Sequence, residues 1–104
     1  MTMKPHMQPN EVVLKACNSK HFRDRQSSKG KLVLTNQRLF FWPTSNEGQF
    51  SLLEILPQQI SELHFFNTLL LIPNGINVIT KDGRQNMFSV KERNSWTRMI
   101  NQMY

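Results

Sequence analysis

Residues 30–41 read GKLVLTNQRLFF, and this stretch decides the fold. Leu32 and Leu34 alternate with residues that point the other way, as expected of a strand with one buried face. Residues 36–37, Asn-Gln, predict a tight turn, because asparagine adopts a left-handed backbone at low cost. The chain then returns from Arg38 as the second strand of a hairpin.

The second strand of this hairpin alternates as well, and Pro43 ends it. With Leu39 and Phe41 facing the core, Phe40 and Trp42 point outward, where neighbouring exposed aromatic side chains indicate a protein-contact surface. The alternative is that a β-bulge or the N-terminal residues cover them. If Phe40 and Trp42 are exposed, a protein partner or a second copy of the chain is predicted to bind this face.

The rest of the chain continues as short strands joined by polar turns. Further strands are predicted at residues 11–17, 50–56, 60–66, 76–80 and 85–90, with a short apolar stretch at 69–72. Turns are predicted at residues 73–75 and 82–83, and a long polar loop at 18–30. The positions predicted to face inward in the last two strands are Ile76, Val78, Phe88 and Val90.

The period of the apolar residues changes from two to about 3.6 near the C-terminal end. Trp96, Met99, Ile100 and Met103 form one stripe, which predicts an amphipathic helix over residues 92–104. Antiparallel strands followed by one helix make an α+β, mostly β, fold. The helix is expected to plug the open end of a strongly bent sheet of seven strands.

Length and composition fit one small domain. The 104 residues are predicted to divide into a flexible N-terminal arm, residues 1–10, and one domain, residues 11–104. A single cysteine, Cys17, excludes an intrachain disulfide. Since no apolar run approaches the ~20 residues of a spanning helix and no secretory signal is evident, we expect a cytoplasmic location, peripheral at the membrane if a lipid is bound.

The stretch at 30–41 resembles the signature of GRAM domains and related bacterial pleckstrin-homology-like (PH-like) domains. In that signature a glycine opens a strand that ends in Leu-Thr-Asn, and Arg-Leu with a hydrophobic pair starts the next strand. Later matches in order and spacing are Ile60, Leu63, Gly75-Ile76, Lys81-Asp82-Gly83, Phe88-Ser89-Val90, Arg93 and Trp96. The resemblance covers about residues 11–104 and implies a PH-like barrel of two nearly orthogonal antiparallel sheets, capped by the C-terminal helix.

The chain is basic, with 13 Lys and Arg against seven Asp and Glu, and this favours anionic partners. The densest cluster is Lys20, Arg23, Arg25, Lys29 and Lys31, opposed only by Asp24. In lipid-binding PH domains the loop between the first two strands grips inositol phosphates, so the resemblance implies an anion or lipid site here and adds Lys15. The tighter family pattern has arginine where this chain has Lys31, which lacks the bidentate fork. The alternative is a solvated loop.

Catalytic chemistry is not indicated, and we predict no catalytic residue, metal ligand or cofactor. His6, His21 and His64 are scattered, and Cys17 with His21 gives too few ligands for zinc. The sequence therefore predicts a non-catalytic binding or adaptor module, for anionic lipid head groups through the basic loop or for a protein through the exposed aromatic residues. The alternative is a self-association module without lipid binding. Nucleic acid is disfavoured, because the aromatic residues are not interleaved with the basic run.

Overall fold

The computed structural model describes residues 5–44, 51–69 and 71–104. Within these residues the elements in chain order are β1 (Val13–Arg23), β2 (Gln26–Thr35), β3 (Leu39–Pro43), β4 (Leu53–Ile55), a 3₁₀ turn (Pro57–Gln59), β5 (Ile60–Thr68), β6 (Ile72–Thr80), β7 (Gln85–Ser89) and α1 (Arg93–Asn101). The predicted mostly-β architecture with a terminal helix is confirmed. Phe50, in the predicted strand 50–56, lies outside the described residues.

All seven strands join one antiparallel sheet in the order β4-β3-β2-β1-β7-β6-β5. β1 pairs with β2 along its whole length and with β7 near its end, and this second pairing joins the two halves of the sheet. The division into two nearly orthogonal sheets therefore stays a prediction. The neighbouring turns alternate between the two ends of the sheet, as antiparallel pairing requires.

A single core lies inside the curled sheet. Its buried members come from β2 through β7, from the residue that follows β7 and from α1, namely Leu32, Leu34, Leu39, Phe41, Ile55, Ile60, Ile76, Val78, Phe88, Val90, Trp96 and Ile100. Trp96 and Ile100 are fully buried, and Met99 and Met103 pack against the cluster. The predicted helix stripe and the predicted inward positions of the last two strands are confirmed.

The stretch at 30–41 forms the predicted hairpin. The backbone N–H of Thr35 donates to the carbonyl of Arg38 (2.9 Å) and closes the turn at residues 36–37. Gly30 is required by close packing, because a Cβ there would lie 2.6 Å from Cζ of Phe41. The signature is therefore a packing feature of β2 and β3.

The predicted long loop at residues 18–30 is wrong. These residues form the outer half of the β1–β2 hairpin, which turns at Asp24 and Arg25. Both turn residues have positive φ, 48° and 66°, as in a type I′ turn. The alternation is present but is carried by small polar residues such as Ser19 and Ser28, which are buried although they are not apolar. A hydrophobic pattern therefore misses these strands.

The predicted turn at residues 73–75 is also wrong, because these residues lie inside β6. The chain reverses earlier, around Leu69 and Leu71. Gly75 is needed for packing, since a Cβ there would lie 2.7 Å from ring atoms of Phe66.

Phe40 is buried, with 2% of its surface exposed, so its predicted exposure is wrong. It lies on the outer face of β3, where the guanidinium of Arg38 covers its ring at 5.0 Å. Glu11 and Glu54 hold this guanidinium in place. Trp42 is half-buried, and its role as a protein contact stays a prediction.

The described part of the N-terminal arm, residues 5–10, lies against the β2–β3 turn. Side chains of the turn donate hydrogen bonds to its carbonyl oxygens. The pairs are Asn36 to Asn10 (3.0 Å), Gln37 to Pro9 (2.8 Å) and Arg38 to His6 (2.8 Å). The flexibility of residues 1–10 and the boundary at residue 11 stay predictions.

Candidate functional site

The β1–β2 turn and the β6–β7 turn lie at the same end of the sheet. The pairing of Phe22 with Met87 runs antiparallel, so Arg23 lies beside the start of β7. Arg84 immediately precedes β7, which begins at Gln85. Two turns that are about sixty positions apart in sequence thus bring their arginines to one place.

A cleft of about 840 Å³ lies between these two turns. Its charged lining residues, among those that the structure describes, are Arg23, Asp24, Arg25 and Arg84. Gln26, Ser27, Gln85 and Asn86 add polar groups to the wall. The cleft therefore combines three arginines with one acid and several neutral hydrogen-bonding groups.

The cations of the cleft are available to a ligand. Within the described residues, neither Arg23 nor Arg25 has a carboxylate within salt-bridge distance, and both are exposed. Arg84 lies 3.5 Å from Asp82, but its side chain is 81% exposed. Such exposed pairs are weak, so the guanidinium of Arg84 is free to turn toward an anion.

Asp82 is engaged by its own turn. A hydrogen bond from the hydroxyl of Thr80, and then one from the backbone N–H of Arg84, lower the pKa of its carboxyl. The carboxylate therefore organises the β6–β7 turn and fixes the backbone position of Arg84.

His21 lines the cleft, and its ring packs against the aromatic core. Its ring lies 5.2 Å from the ring of Phe41 and 5.0 Å from that of Phe88. Burial, with a smaller contribution from the charge of Arg23, lowers the pKa of His21 from 6.5 to about 4. The imidazole is therefore neutral at pH 7 and adds no positive charge to the site.

A second, smaller depression of about 360 Å³ adjoins the cleft through Arg84. Glu54 and Asp82 line it together with Lys81. Its mixed charge makes it less suited to an anion than the larger cleft.

The structure divides the six basic residues predicted as a site. Arg23 and Arg25 line the cleft. Lys20 pairs directly with Lys29, and their exposure beside the buried Ser19 and Ser28 puts them on the outer face of the β1–β2 hairpin.

Lys31 lies on the same outer face, directly opposite Trp42 of β3. The three lysines therefore form an exposed stripe outside the cleft, which we call the outer lysines: Lys20, Lys29 and Lys31.

Lys15 lies apart from both groups. Its ammonium is 3.5 Å from Glu92 and 6.0 Å from the ring of Trp96, and its side chain is 17% exposed. It packs at the helix end of the domain, and the structure does not bring it to the cleft.

Arg84 is the site residue that the sequence argument missed. A signal was present, because the Asp82-Gly83 turn was predicted and Arg84 follows it directly. What was lacking was the pairing of β1 with β7, which a hydrophobic pattern does not reveal.

Neither metal ligands nor a reactive thiol stand out in the described part of the chain. No group of three or more His, Cys, Asp and Glu side chains is placed to hold a metal ion there. Burial raises the pKa of the Cys17 thiol. In the same ranges, no helix is both long enough and apolar enough to cross a bilayer.

The fold of this chain is similar to solved structures. It superimposes on the C-terminal domain of an unknown protein from Leishmania infantum with a TM-score of 0.74, at 16% identity, covering 91% of this chain and 86% of that one. It superimposes on the Vps36 N-terminal PH domain with a TM-score of 0.69, at 12% identity, covering 95% and 86%. The chain has a PH-like fold.

A third similar structure is the Slm1 PH domain in complex with inositol-4-phosphate, with a TM-score of 0.61 at 13% identity, covering 88% of this chain and 94% of that one. No protein-family model and no curated protein matches the chain. At these identities the likeness of the PH-like chain to its neighbours concerns the fold alone.

Proposed function

We propose that this PH-like chain is a non-catalytic, GRAM-type binding module that binds a phosphomonoester group in the cleft between the β1–β2 and β6–β7 turns. The phosphorylated polyol of a lipid head group carries such a group, and so does the corresponding soluble inositol phosphate. The observation that supports the proposal is the convergence of Arg23, Arg25 and Arg84 around one cleft of about 840 Å³.

Diffuse attraction to a membrane does not suffice at this site. Each cation near an anionic surface contributes about 1 kcal/mol, so three arginines less Asp24 give ~2 kcal/mol. That corresponds to a dissociation constant weaker than about 1 mM. Useful affinity therefore requires direct hydrogen bonds to a discrete phosphate, which the planar guanidinium forms as a bidentate pair.

The similar solved structures agree with this chemistry. One of them is the Slm1 PH domain with inositol-4-phosphate, and another is the same domain with phosphoserine, with a TM-score of 0.59 at 15% identity. Both ligands carry a phosphomonoester on a polar carrier. We propose the polyol carrier here, because the wall of the cleft supplies Gln26, Ser27, Gln85 and Asn86 for its hydroxyl groups.

Calorimetric titration of the chain with soluble inositol 4-phosphate tests the proposal. We expect Arg84→Glu, and Arg23→Glu with Arg25→Glu, each to weaken binding by about tenfold or more, since charge-assisted hydrogen bonds are lost. Arg98→Glu is the matched control, because it reverses one exposed arginine on α1. We expect its affinity to stay within about twofold at ~0.15 M ionic strength, where exposed charges farther than a Debye length are screened.

Equal weakening by Arg84→Glu and Arg98→Glu would show that only the net charge of the chain matters, and would contradict binding in the cleft. Absence of binding by the unaltered chain to inositol 4-phosphate would contradict it as well. Tighter binding of a phosphoserine peptide than of inositol 4-phosphate would show that the cleft prefers a phosphate carried by a peptide to one carried by a polyol.

Two further measurements distinguish a soluble ligand from a membrane lipid, and the cleft from the outer lysines. Binding to soluble inositol 4-phosphate and to vesicles with phosphatidylinositol 4-phosphate at similar affinity indicates head-group recognition. If the chain binds only the vesicles, and Lys29→Glu with Lys31→Glu abolishes this binding, the membrane is contacted by the outer lysines and not by the cleft.

Self-association without any anionic ligand is the alternative function. It predicts a concentration-dependent mass in light scattering, sensitive to Trp42→Ser and insensitive to salt. A cytoplasmic location, with recruitment to a membrane by the phosphorylated head group, completes the proposal.

A further inference from the structure

The β5–β6 turn presents large apolar side chains to solvent. Leu69 is 83% exposed and Leu71 is 84% exposed, the largest values among the exposed large hydrophobic residues of the described chain. Ile72, which starts β6, is 44% exposed. No charged residue occurs between positions 65 and 75. We call Leu69, Leu71 and Ile72 the apolar tip.

Neither the core nor the turn geometry requires leucines at the apolar tip. Their exposure shows that they add nothing to the core. Leu69 has φ of 48°, a backbone region that glycine or asparagine adopts more readily than a bulky residue. The tip thus carries a cost in both solvation and backbone strain without adding to the core of the domain.

Positive charge lies at the base of the same hairpin. Nη1 of Arg93 donates to the carbonyls of Phe66 (3.1 Å) and Gly75 (3.4 Å), one on each strand. The N–H of Val90 donates to the carbonyl of Asn74 (2.8 Å), which places the exposed Lys91 beside β6.

The base of the hairpin also carries an acid, Glu92, against three cations, Lys15, Lys91 and Arg93. Glu92 lies 3.5 Å from the ammonium of Lys15. The cations Lys91 and Arg93 therefore leave the base of the hairpin positive.

We propose that the apolar tip inserts into the interfacial region of an anionic lipid bilayer, with Lys91 and Arg93 at the level of the head groups. A projecting turn of leucines backed by cations suits such a surface, because the apolar side chains enter the acyl boundary while the cations meet lipid phosphates. A second copy of the chain is a poorer occupant, since it brings the same cations together and both copies carry a net charge of +6.

Insertion fixes the orientation of the domain. β6 runs from Ile72 at the apolar tip to Thr80 at the β6–β7 turn, a separation of about 27 Å along an extended strand. The basic cleft at the far end of the sheet then faces water, so a chain held by its tip can bind a soluble inositol phosphate but not a head group of the same bilayer. The insertion does not depend on the proposed phosphomonoester site, and its test uses vesicles without phosphoinositide.

Co-sedimentation with phosphatidylcholine–phosphatidylserine vesicles tests the insertion. We expect Leu69→Ser with Leu71→Ser to lower the partition coefficient by about tenfold or more, because each buried leucine contributes about that factor. The control is Leu52→Ser at the opposite end of the sheet, because this leucine is 37% exposed and immediately precedes β4. It should retain binding within about threefold, less than the effect of burying one leucine.

Depth labels give a readout that does not depend on affinity. A chain with Cys17→Ala carries an environment-sensitive fluorophore at Leu71→Cys or, for comparison, at Gln26→Cys in the cleft. On adding vesicles we expect a blue shift at position 71 and none at position 26.

Three results would overturn the insertion. They are a shift at position 26 alone, equal loss of binding in the serine pair and its control, and no partition of the unaltered chain into anionic vesicles. A concentration-dependent dimer that Leu69→Ser with Leu71→Ser abolishes, without vesicle binding, would assign the tip to a second copy. Binding of inositol 4-phosphate is unaffected by any of these outcomes, so the two proposals fail separately.

Discussion

The guanidinium of Arg38 holds the carboxylate of Glu11 through two hydrogen bonds, from Nε to Oε2 at 2.8 Å and from Nη2 to Oε1 at 3.0 Å. Both side chains are almost completely buried, at 6% and 0% exposure. Nη1 of Arg38 also lies 2.6 Å from Glu54 of β4. This one side chain therefore connects the segment before β1, the β2–β3 turn and the edge strand β4.

Replacement of Arg38 should destabilise the fold strongly. Arg38→Ala leaves the carboxylate of Glu11 buried without its cation and uncovers Phe40. Breaking one partner of a buried pair costs about 3–5 kcal/mol. Urea unfolding measures the loss, and Arg98→Ala on the exposed face of α1 should change stability by less than about 0.5 kcal/mol. A loss below about 1 kcal/mol for Arg38→Ala would contradict the described pairing.

The same pair makes stability depend on acid. Hydrogen bonds from Arg38, the largest cause, and others from the Gln8 backbone and Thr35 lower the pKa of Glu11 from 4.5 to about 2. Because the folded pKa is the lower one, the stabilisation is fully present above pH 4.5 and is lost as the pH falls toward 2. Glu11→Gln should flatten the free energy of unfolding across this window, while stability at neutral pH falls. An unchanged slope between these pH values would show that Glu11 is not the titrating group.

His21 predicts a second, milder window of acid sensitivity. Its pKa of about 4 in the folded chain lies below its usual 6.5, chiefly because of burial. The unfolded chain therefore takes up a proton first, and stability is lost as the pH falls from 6.5 to 4. His21→Gln should reduce the pH dependence in this range, and a carbon-13 titration of the ring should give a midpoint near 4. A midpoint near 6.5 would mean that the ring is solvated in the folded protein.

The sequence predicts the fold well wherever apolar residues carry the alternation. Leu32, Leu34, Leu39 and Phe41 face the core as predicted, and so do the stripe residues of α1. The outer half of the β1–β2 hairpin was missed because its inward positions are polar. The apolar stretch at 69–72 was equally misleading, since Leu69 and Leu71 are at a turn and exposed.

The candidate site could be predicted only in part. Arg23 and Arg25 stand out in a basic run, but charge alone did not separate them from Lys20 and Lys29, which lie on the outer face. The partner that completes the cleft, Arg84, depends on the pairing of β1 with β7, a contact between distant segments. The cover over Phe40 likewise depends on Arg38 finding two distant carboxylates.

The glycine of the signature should be sensitive to the smallest substitution. In Gly30→Ala the new methyl group would meet the ring of Phe41, whose Cζ is 2.6 Å away, and the backbone of β3. Overpacking of this kind costs about 1–3 kcal/mol. Gly83→Ala is the comparison, because a Cβ there meets nothing within 4 Å and the cost comes only from its φ of 87°. Urea unfolding should therefore show a larger loss for Gly30→Ala, and the reverse order would contradict the close approach of β2 and β3.

The β1–β2 turn should separate stability from binding. Asp24 and Arg25 both have positive φ, and the residues that best suit such a type I′ turn are Asn-Gly. Asp24→Asn with Arg25→Gly should therefore raise the free energy of unfolding by about 0.5–1 kcal/mol, because the backbone strain is relieved. The same change removes one cleft arginine, so binding of inositol 4-phosphate should weaken even though the chain is more stable. Asp24→Asn alone supplies the control, because it removes the opposing acid and should strengthen binding. A double variant that is more stable and binds as tightly as the unaltered chain would show that Arg25 serves the turn only.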